Sequence, residues 1–261
     1  MNILFWNLKQ NSNEQAIADI IVEQGIDIAL FAEHLNTDFS KVCTILHGKY
    51  TEYSGYGGCE KIILMSKVDY DITIKRESTR YILYSCNTTS KNYTLAGIHL
   101  PANPNSTPDD RKSVIRDIVQ DVCELERTSK CDNTIIIGDF NASPFDSELI
   151  QKDAFNAVLY KGLINKAEYV TSNGKRYRRF YNPLVNYISE ETQTYGSFYY
   201  SGGINSLYWY CYDQAIIRKP LVANLESIRY IKTIGGRKLI KEVSPDATIS
   251  DHLPLVVEMK G

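Results

Sequence analysis

No two of the six cysteines, Cys43, Cys59, Cys86, Cys123, Cys131 and Cys211, stand in a Cys-x-x-Cys arrangement. A structural zinc site is therefore not expected. No apolar run approaches the roughly 18 residues that a membrane span needs. A basic segment followed by a long apolar one is also missing, because Met1 to Lys9 runs straight into strand-like sequence. We expect a cytoplasmic protein with reduced thiols and no membrane span. Strong charge of either sign is absent. Lys and Arg number 29, Asp and Glu 31, and the net charge is -2. That balance argues against a chain that coats nucleic acid by bulk charge, although a local groove can still be basic.

What is present is an ordinary globular composition. The 261 residues are 43% hydrophobic and 23% charged, enough to bury a core without a disulfide or metal staple. Internal repeats, low-complexity tracts and linkers are absent, so one domain over residues 1–261 is expected. Asn2 to Trp6 and Ile26 to Ala32 are buried-strand runs. Between them, Asn11 to Asn13 offer a cap for a helix carrying Ile17, Ile20 and Ile21. Lys61–Ser66, Asp71–Lys75, Arg80–Cys86 and Tyr93–Leu100 suggest a four-strand antiparallel meander. Thr107 caps a helix over Pro108–Glu126, whose Val114, Ile118, Val122 and Leu125 share a face. Asn133–Ile137 is another buried strand, and Asp146–Asp153 a short helix. Tyr208–Arg218, Leu221–Ile231, Lys238–Val243 and Leu253–Met259 complete the expected strands. Residues 165–206 show no period and read as a long irregular excursion, which in a compact domain is usually functional.

Polar residues gather at the strand boundaries. Asn7, Glu33, His99, Asp139, Asn141, Asp213, Asp251 and His252 each lie at or just beyond the end of an expected buried strand, or within or just before one. Asx residues also punctuate turns, but strand ends can converge on one rim, where a cation can neutralise buried acids. In Gly138-Asp139-Phe140-Asn141 the acid and the amide are two apart and can point the same way, suiting a water and a phosphate oxygen. In Ser250-Asp251-His252 a hard oxygen ligand adjoins a titratable imidazole.

The strings Trp6-Asn7, Phe31-Ala32-Glu33, Gly97-Ile98-His99-Leu100, Gly138-Asp139-Phe140-Asn141, Tyr212-Asp213-Gln214 and Ser250-Asp251-His252 follow one another from end to end of the chain. In this order they resemble the endonuclease/exonuclease/phosphatase superfamily. That group includes deoxyribonuclease I, exonuclease III-type enzymes, sphingomyelinases and inositol polyphosphate 5-phosphatases. The resemblance implies an α/β fold: a four-layer α/β/β/α sandwich of two mostly antiparallel mixed sheets, deoxyribonuclease I-like. It implies Glu33 as the main metal ligand, assisted by Asn7 and completed by Asp251. It implies Asp139 and Asn141 on water and phosphate, and His252, oriented by Asp213, against the scissile phosphate. Either Asp139 or His252 could be the base. Mg²⁺ or Mn²⁺ suits such hard oxygen ligands.

His99 matches the deoxyribonuclease I-like and sphingomyelinase-like groups, where other members carry Tyr. In the deoxyribonuclease I-like group a Glu on a neighbouring strand orients this His. Glu60 stands where such a partner would be, giving a pair able to protonate a leaving oxygen. The Asn-x-Asp string of the abasic-site endonucleases is missing, since Leu8 and Lys9 follow Asn7, so abasic repair is not implied. His34 reads as a turn residue and His47 as structural or exposed. In the excursion, Arg176, Arg178, Arg179 and Tyr181 mix guanidinium groups that can hold phosphates with rings that can stack on bases. Tyr195, Tyr199, Tyr200, Tyr208, Tyr210 and Tyr212 follow. Asn182-Pro183-Leu184 and Thr194-Tyr195-Gly196 resemble uncharacterised bacterial members and name no substrate.

The expectation is a metal-dependent phosphodiesterase acting as a nuclease on DNA or RNA. A phosphatase or phosphodiesterase on a nucleotide, inositol phosphate or lipid head group is the alternative, kept open by the pI of about 6.1. A binding module that kept only the fold is a third.

Overall fold

In the computed structural model the chain is described at residues 1–260 except 90, 103–105, 193, 203 and 205. The first strands are β1 (Asn2–Asn7), β2 (Ile28–Ala32), β3 (Tyr50–Ser54) and β4 (Ile62–Lys67). Next come β5 (Asp71–Ser78), β6 (Tyr81–Asn87), β7 (Asn92–His99) and β8 (Thr134–Asp139). The third quarter holds β9 (Ala157–Val158), β10 (Tyr169–Ser172), β11 (Lys175–Arg178), β12 (Phe180–Tyr181), β13 (Phe198–Tyr200) and β14 (Tyr208–Tyr210). The last are β15 (Asp213–Ile217), β16 (Leu225–Tyr230), the two-residue pieces β17 to β20 between Thr233 and Pro245, and β21 (Leu255–Met259). The helices are α1 (Glu14–Glu23), α2 (Phe39–Ile45), α3 (Pro108–Ser129), α4 (Ser147–Ile150) and α5 (Lys161–Lys166).

Two large mixed sheets result. One has the order β16-β21-β1-β2-β4-β3 and the other β5-β6-β7-β8-β15-β12-β9. Each is mostly antiparallel, but each holds a parallel pair at its centre: β1 with β2, and β7 with β8. Each of these pairs is joined by a crossover helix, α1 or α3, as parallel neighbours require. Alternation along the second sheet divides its side chains between two layers. Leu83, Ala96, Ile98, Ile136 and Ile216 pack under Ile115, Ile118 and Val122 of α3. Ile82, Tyr84, Leu95, Ile135, Ile137 and Ala215 join the core of the first sheet, which α1 meets with Ile17, Ile20 and Ile21. The layers are thus α/β/β/α, with the main core between the sheets. Gly97 keeps them close, because a Cβ there would sit 2.6 Å from Leu30 Cδ2 and 2.8 Å from Ile62 Cγ2. Among the described residues no helix is long and apolar enough to cross a membrane.

Local chemistry explains the clearest elements. Thr107 Oγ1 accepts from the Asp110 amide at 3.2 Å, while Asp110 Oδ2 accepts from the Thr107 amide at 2.8 Å. This capping box, with Pro108 in the first turn, starts α3. Asn13 makes no such bond to α1, and its amide donates instead to the Ile249 carbonyl at 2.6 Å.

Three expectations need correction. The four-strand meander is split: β4 pairs with β2 and β3 in the first sheet, and only β5, β6 and β7 form the antiparallel run in the second. The run Tyr208–Arg218 is two strands, because β14 pairs with β13 and β15 pairs with β8. The excursion at 165–206 is less irregular than its composition suggests. Within its described residues lie the β10–β11 hairpin, β12 and β13; residues 193, 203 and 205 lie outside them.

Candidate active site

The two parallel pairs set the position of the site. Asn7 ends β1 and is paired with Ala32, the last residue of β2, which delivers Glu33. His99 ends β7 and is paired with Asp139, the last residue of β8. Asp213 opens the antiparallel β15 opposite Asp139. Four carboxyl-terminal strand ends and one amino-terminal end thereby meet at one edge of the sandwich. Asp251 and His252 reach the same edge just before β21, which runs antiparallel to β1. The Trp6 indole fixes this segment by donating to the His252 carbonyl at 3.0 Å.

The backbone changes character here. Lys9, Gln10, Glu33 and Asn141 all have φ between 46° and 58°, a left-handed conformation uncommon for such residues. The surrounding hydrogen bonds hold it: the Gln10 amide to the Glu33 carbonyl at 2.7 Å, and the Asn141 side chain to the Leu100 carbonyl at 2.9 Å. Strain of this kind gathers at functional sites. Gly138, just before Asp139, has no room for a Cβ, which would overlap the Ile98 carbonyl of β7.

The polar groups form two linked sets. In the first, Asn7 Nδ2 donates to Glu33 Oε1 at 3.3 Å and to Asp139 Oδ2 at 3.2 Å. His99 Nε2 lies 3.7 Å from Glu33 and 3.8 Å from Asp139. Asp139 also accepts from the Asn141 amide at 2.9 Å. In the second, His252 Nδ1 meets Asp213 Oδ2 at 2.7 Å, with both side chains buried. The Asp213 amide donates to Ser197 Oγ at 3.1 Å. The Tyr230 hydroxyl donates to the Asp213 carbonyl at 2.7 Å. Ser250 Oγ accepts from the His252 amide and donates to the Asn7 carbonyl, so it ties the two sets together. One ligand atom each from Asp139, Asp213 and His252 falls within 4.8 Å of the others.

The two histidines are tuned in opposite directions. Burial lowers both. At His99 the nearby Glu33 does not compensate, and the pKa falls to about 4. At His252 burial is outweighed by the Asp213 charge and hydrogen bond, with Asp139 and Asp251 adding to it, and the pKa rises to about 10. Burial raises Asp139 and Asp213, against the pull of His252. Within the Asp213–His252 pair the proton belongs on the imidazole, because three carboxylates face it.

A cavity of about 650 Å³ opens over the cluster. Its floor carries Glu33, His99, Asp139, Asn141, Asp251 and His252, and its wall is made by Phe198, Tyr200, Tyr210 and Tyr212. No Lys or Arg lines it among the described residues. Lys9 stands just outside, paired with Asp251 at 3.2 Å.

The expected site residues divide accordingly. Asn7, Glu33, His99, Asp139, Asn141, Asp213, Asp251 and His252 are brought together. Glu60 is exposed and makes no bond to His99, whose Nδ1 has no hydrogen-bond partner among the described residues. The expected Glu60–His99 pair is therefore not formed. The basic run is not at the site either. Arg178 is bound by Glu126 at 3.0 Å, Asp132 at 2.6 Å and Glu168 at 2.5 Å. Arg176 stacks on Tyr169, and Arg179 donates to the carbonyls of Ala167 and Tyr169. Tyr181 is buried in β12, level with Ile217 and hence with Ile135. All of these lie toward the Thr134 end of β8, roughly 14–17 Å of strand away from Asp139. Trp6, Ser197, Ser250, Tyr230 and Phe198 were not singled out as functional. Trp6 and Ser250 stand inside motif strings, whereas Ser197 and Phe198 carry no signal that sequence alone could have given.

No protein-family profile matches the chain, and no curated protein matches it. Solved structures do. TDP2 from D. rerio, complexed with a single-strand DNA product, is 13% identical with a TM-score of 0.61 over 100% of this chain and 99% of that one. The catalytic domain of human Nocturnin, with bound sulfate, is 14% identical with a TM-score of 0.59 over 99% and 93%. An endonuclease/exonuclease/phosphatase family protein from Bacteroides thetaiotaomicron is 13% identical with a TM-score of 0.57 over 99% and 97%. At such identities the likeness is one of fold. The chain has the deoxyribonuclease I-like fold that its motifs resemble.

Proposed function

We propose that the chain, as one domain over 1–261, is a divalent-metal-dependent phosphodiesterase that hydrolyses DNA or RNA by in-line attack of water. The observation that carries this reading is the meeting of the two linked sets over one cavity. An imidazole held by Asp213 stands beside the acids Glu33 and Asp139, which the Asn7 amide bridges, all at converging strand ends.

The donors fit a hard cation. Glu33, Asp139 and Asp251 bring three carboxylates to a cavity that no Lys or Arg lines, and such an excess of oxygen charge suits Mg²⁺ or Mn²⁺. Glu33 would hold the ion, with Asn7 and Asp251. When bound, the ion supplies Lewis-acid neutralisation of the phosphoryl oxygens. The Asp139–Asp213–His252 group is the poorer cage, because His252 Nδ1 is already committed to Asp213. It is better read as an oriented acid–imidazole pair.

The chain's own residues then have distinct tasks. Asp139 is pushed upward by burial and held by Asn7 and Asn141, so it can accept the water's proton. His252 carries positive charge at neutral pH and presents it to a phosphate oxygen. This assigns the base to Asp139 and the electrostatic role to His252. Asn141 offers an amide at the cavity floor. His99 is neutral and stands beside Glu33 and Asp139. Glu60 and the arginines of β11 take no part.

The test is hydrolysis of single-stranded DNA, duplex DNA and RNA with Mg²⁺ or Mn²⁺, against EDTA and Asp139→Ala. Metal-dependent cleavage lost in the variant is expected, by several powers of ten. Cleavage by Asp139→Ala at near the wild-type rate would refute the mechanism. One observation favours a small phosphorylated substrate instead: no Lys or Arg lines the cavity among the described residues. Turnover of a chromogenic phosphodiester without cleavage of any polymer would establish that second reading.

A further inference from the structure

The wall of the cavity has a composition that phosphate chemistry does not require. Phe198 lies against the His252 ring, with centroids 4.9 Å apart, and stacks on Tyr212 at 5.5 Å and 21°. Tyr212 meets Tyr210 at 5.1 Å. A file of rings thus runs outward from the imidazole. Tyr200, 53% exposed, lies in β13 across from β14, and it lines the same cavity. Two features fix the wall in place. The Leu253 amide donates to the Ser197 carbonyl at 2.8 Å, and the Ser197 amide donates to the Tyr210 carbonyl at 2.9 Å. The hairpin is therefore anchored to the catalytic segment itself.

Affinity for a nucleic acid comes from two main sources: cations on phosphates and rings on bases. This cavity is rich in the second and poor in the first, since its described lining carries three acids, four rings of Phe and Tyr, and no Lys or Arg beside the one charged imidazole of His252. A duplex keeps its bases stacked on each other and cannot present their faces to a side wall. A lipid head group or an inositol ring has no aromatic face to present.

We propose that this ring file is a base-stacking platform, and that the substrate is a phosphodiester flanked by an unpaired nucleobase. Tyr200 and Tyr210 receive the base, while Phe198 and Tyr212 back the imidazole and hold the platform's inner end. The proposal rests on the phosphodiesterase reading. A dinucleotide and a single strand share the required chemistry.

The experiment compares two esters with one leaving group: thymidine 5′-phosphate 4-nitrophenyl ester and methyl 4-nitrophenyl phosphate. Both are given to the wild type, Tyr200→Ala and Tyr200→Phe. Tyr200→Ala should lower kcat/KM on the nucleoside ester by roughly fivefold to a hundredfold and lower it far less on the methyl ester. Tyr200→Phe, which keeps the ring, should restore it. A dinucleotide and a single-stranded oligonucleotide are run beside the same sequence as duplex, and both unpaired substrates should be preferred. Calorimetric binding of thymidine 5′-monophosphate reads the platform without turnover, and Tyr200→Ala should weaken it to the same degree. Equal losses on both esters, or a preference for duplex, would overturn the platform. Hydrolysis of neither ester by a wild type that still binds the nucleotide would remove the phosphodiesterase reading and leave the platform standing.

Discussion

Glu126→Ala tests whether the basic run around β11 is scaffold rather than substrate contact. Glu126 is buried in the last turns of α3 and accepts from three groups: Arg218 Nε at 2.8 Å, Arg178 at 3.0 Å and Thr134 Oγ1 at 2.6 Å. The cost of its removal falls unevenly. Arg178 keeps Asp132 and Glu168. Arg218 is fully buried and, among the described residues, keeps only neutral partners for its charge: the Arg179 carbonyl at 3.1 Å, Cys123 Sγ at 3.6 Å and the face of Phe180 at 3.6 Å. Leaving a buried guanidinium without its counter-charge costs about 3–5 kcal/mol, a large share of the roughly 5–15 kcal/mol that holds a domain folded. With a urea m-value near 3 kcal/mol/M, the unfolding midpoint should drop by about 1–1.7 M. The assay is urea unfolding followed by circular dichroism, and m itself should not change. Replacing both partners, Glu126→Leu with Arg218→Met, should recover much of the loss, because no buried charge is then left alone. Below the transition, kcat/KM of Glu126→Ala should match the wild type, since the network lies at the far end of β8. A midpoint shift under 0.3 M, or a selective loss of polymer cleavage with full stability, would refute this reasoning.

Other outcomes follow from the site. Gly138→Ala must push β7 from β8, because the added Cβ meets the Ile98 backbone; it should lower both thermal stability and turnover, and a variant with wild-type values would contradict the packing. Gly97→Ala meets only the side chains of Leu30 and Ile62, so its melting temperature should fall less. Glu33→Gln removes the charge from the proposed ion position and should weaken Mn²⁺ binding at least tenfold by calorimetry, with the circular dichroism spectrum unchanged. Glu60→Ala should leave turnover within about twofold, as expected for a surface change away from the reacting groups.

Legibility followed the range of the interactions involved. The helix α3 was clear because Thr107, Pro108 and a regular apolar face all lie within it. The strands β1, β2 and β8 were clear as short apolar runs. The helix α2 was not, because only Phe39 and Val42 of its seven residues are buried and its cap, Asp38 accepting from the Lys41 amide at 3.1 Å, lies in a polar stretch. The sheet assignment of β4 was hidden for a different reason. Turn signals mark where a strand ends, not which sheet the next one joins. Here β4 pairs with β2, some 30 residues earlier, rather than with β5.

The convergence of the candidate residues was legible because motif and topology coincide: a polar residue at the carboxyl end of each parallel strand must arrive at one edge. The misreadings arose where charge balance is tertiary. Arg176, Arg178 and Arg179 look like a phosphate grip within their own seven residues. The acids that neutralise Arg178 come from positions 126, 132 and 168, and no local window contains them. Glu60 failed in the same way, since a strand-start position fixes where the backbone is and not which way a side chain turns. The tyrosines that follow the basic run do reach the cavity, because the Phe198–His252 bridge pulls their hairpin onto the catalytic segment. A run of residues that reads as one nucleic-acid-binding stretch is therefore divided by the fold. Its Arg178 is tied to Glu126 of α3, its Arg176 and Arg179 are held at Tyr169 and Ala167, and its rings face the cavity. A protein built this way should show weak salt dependence for its substrate, because little counterion is released when rings do the gripping. A steep fall of kcat/KM between about 50 and 200 mM salt, of the size seen when several phosphates are held, would require Lys or Arg side chains that do not line the described cavity.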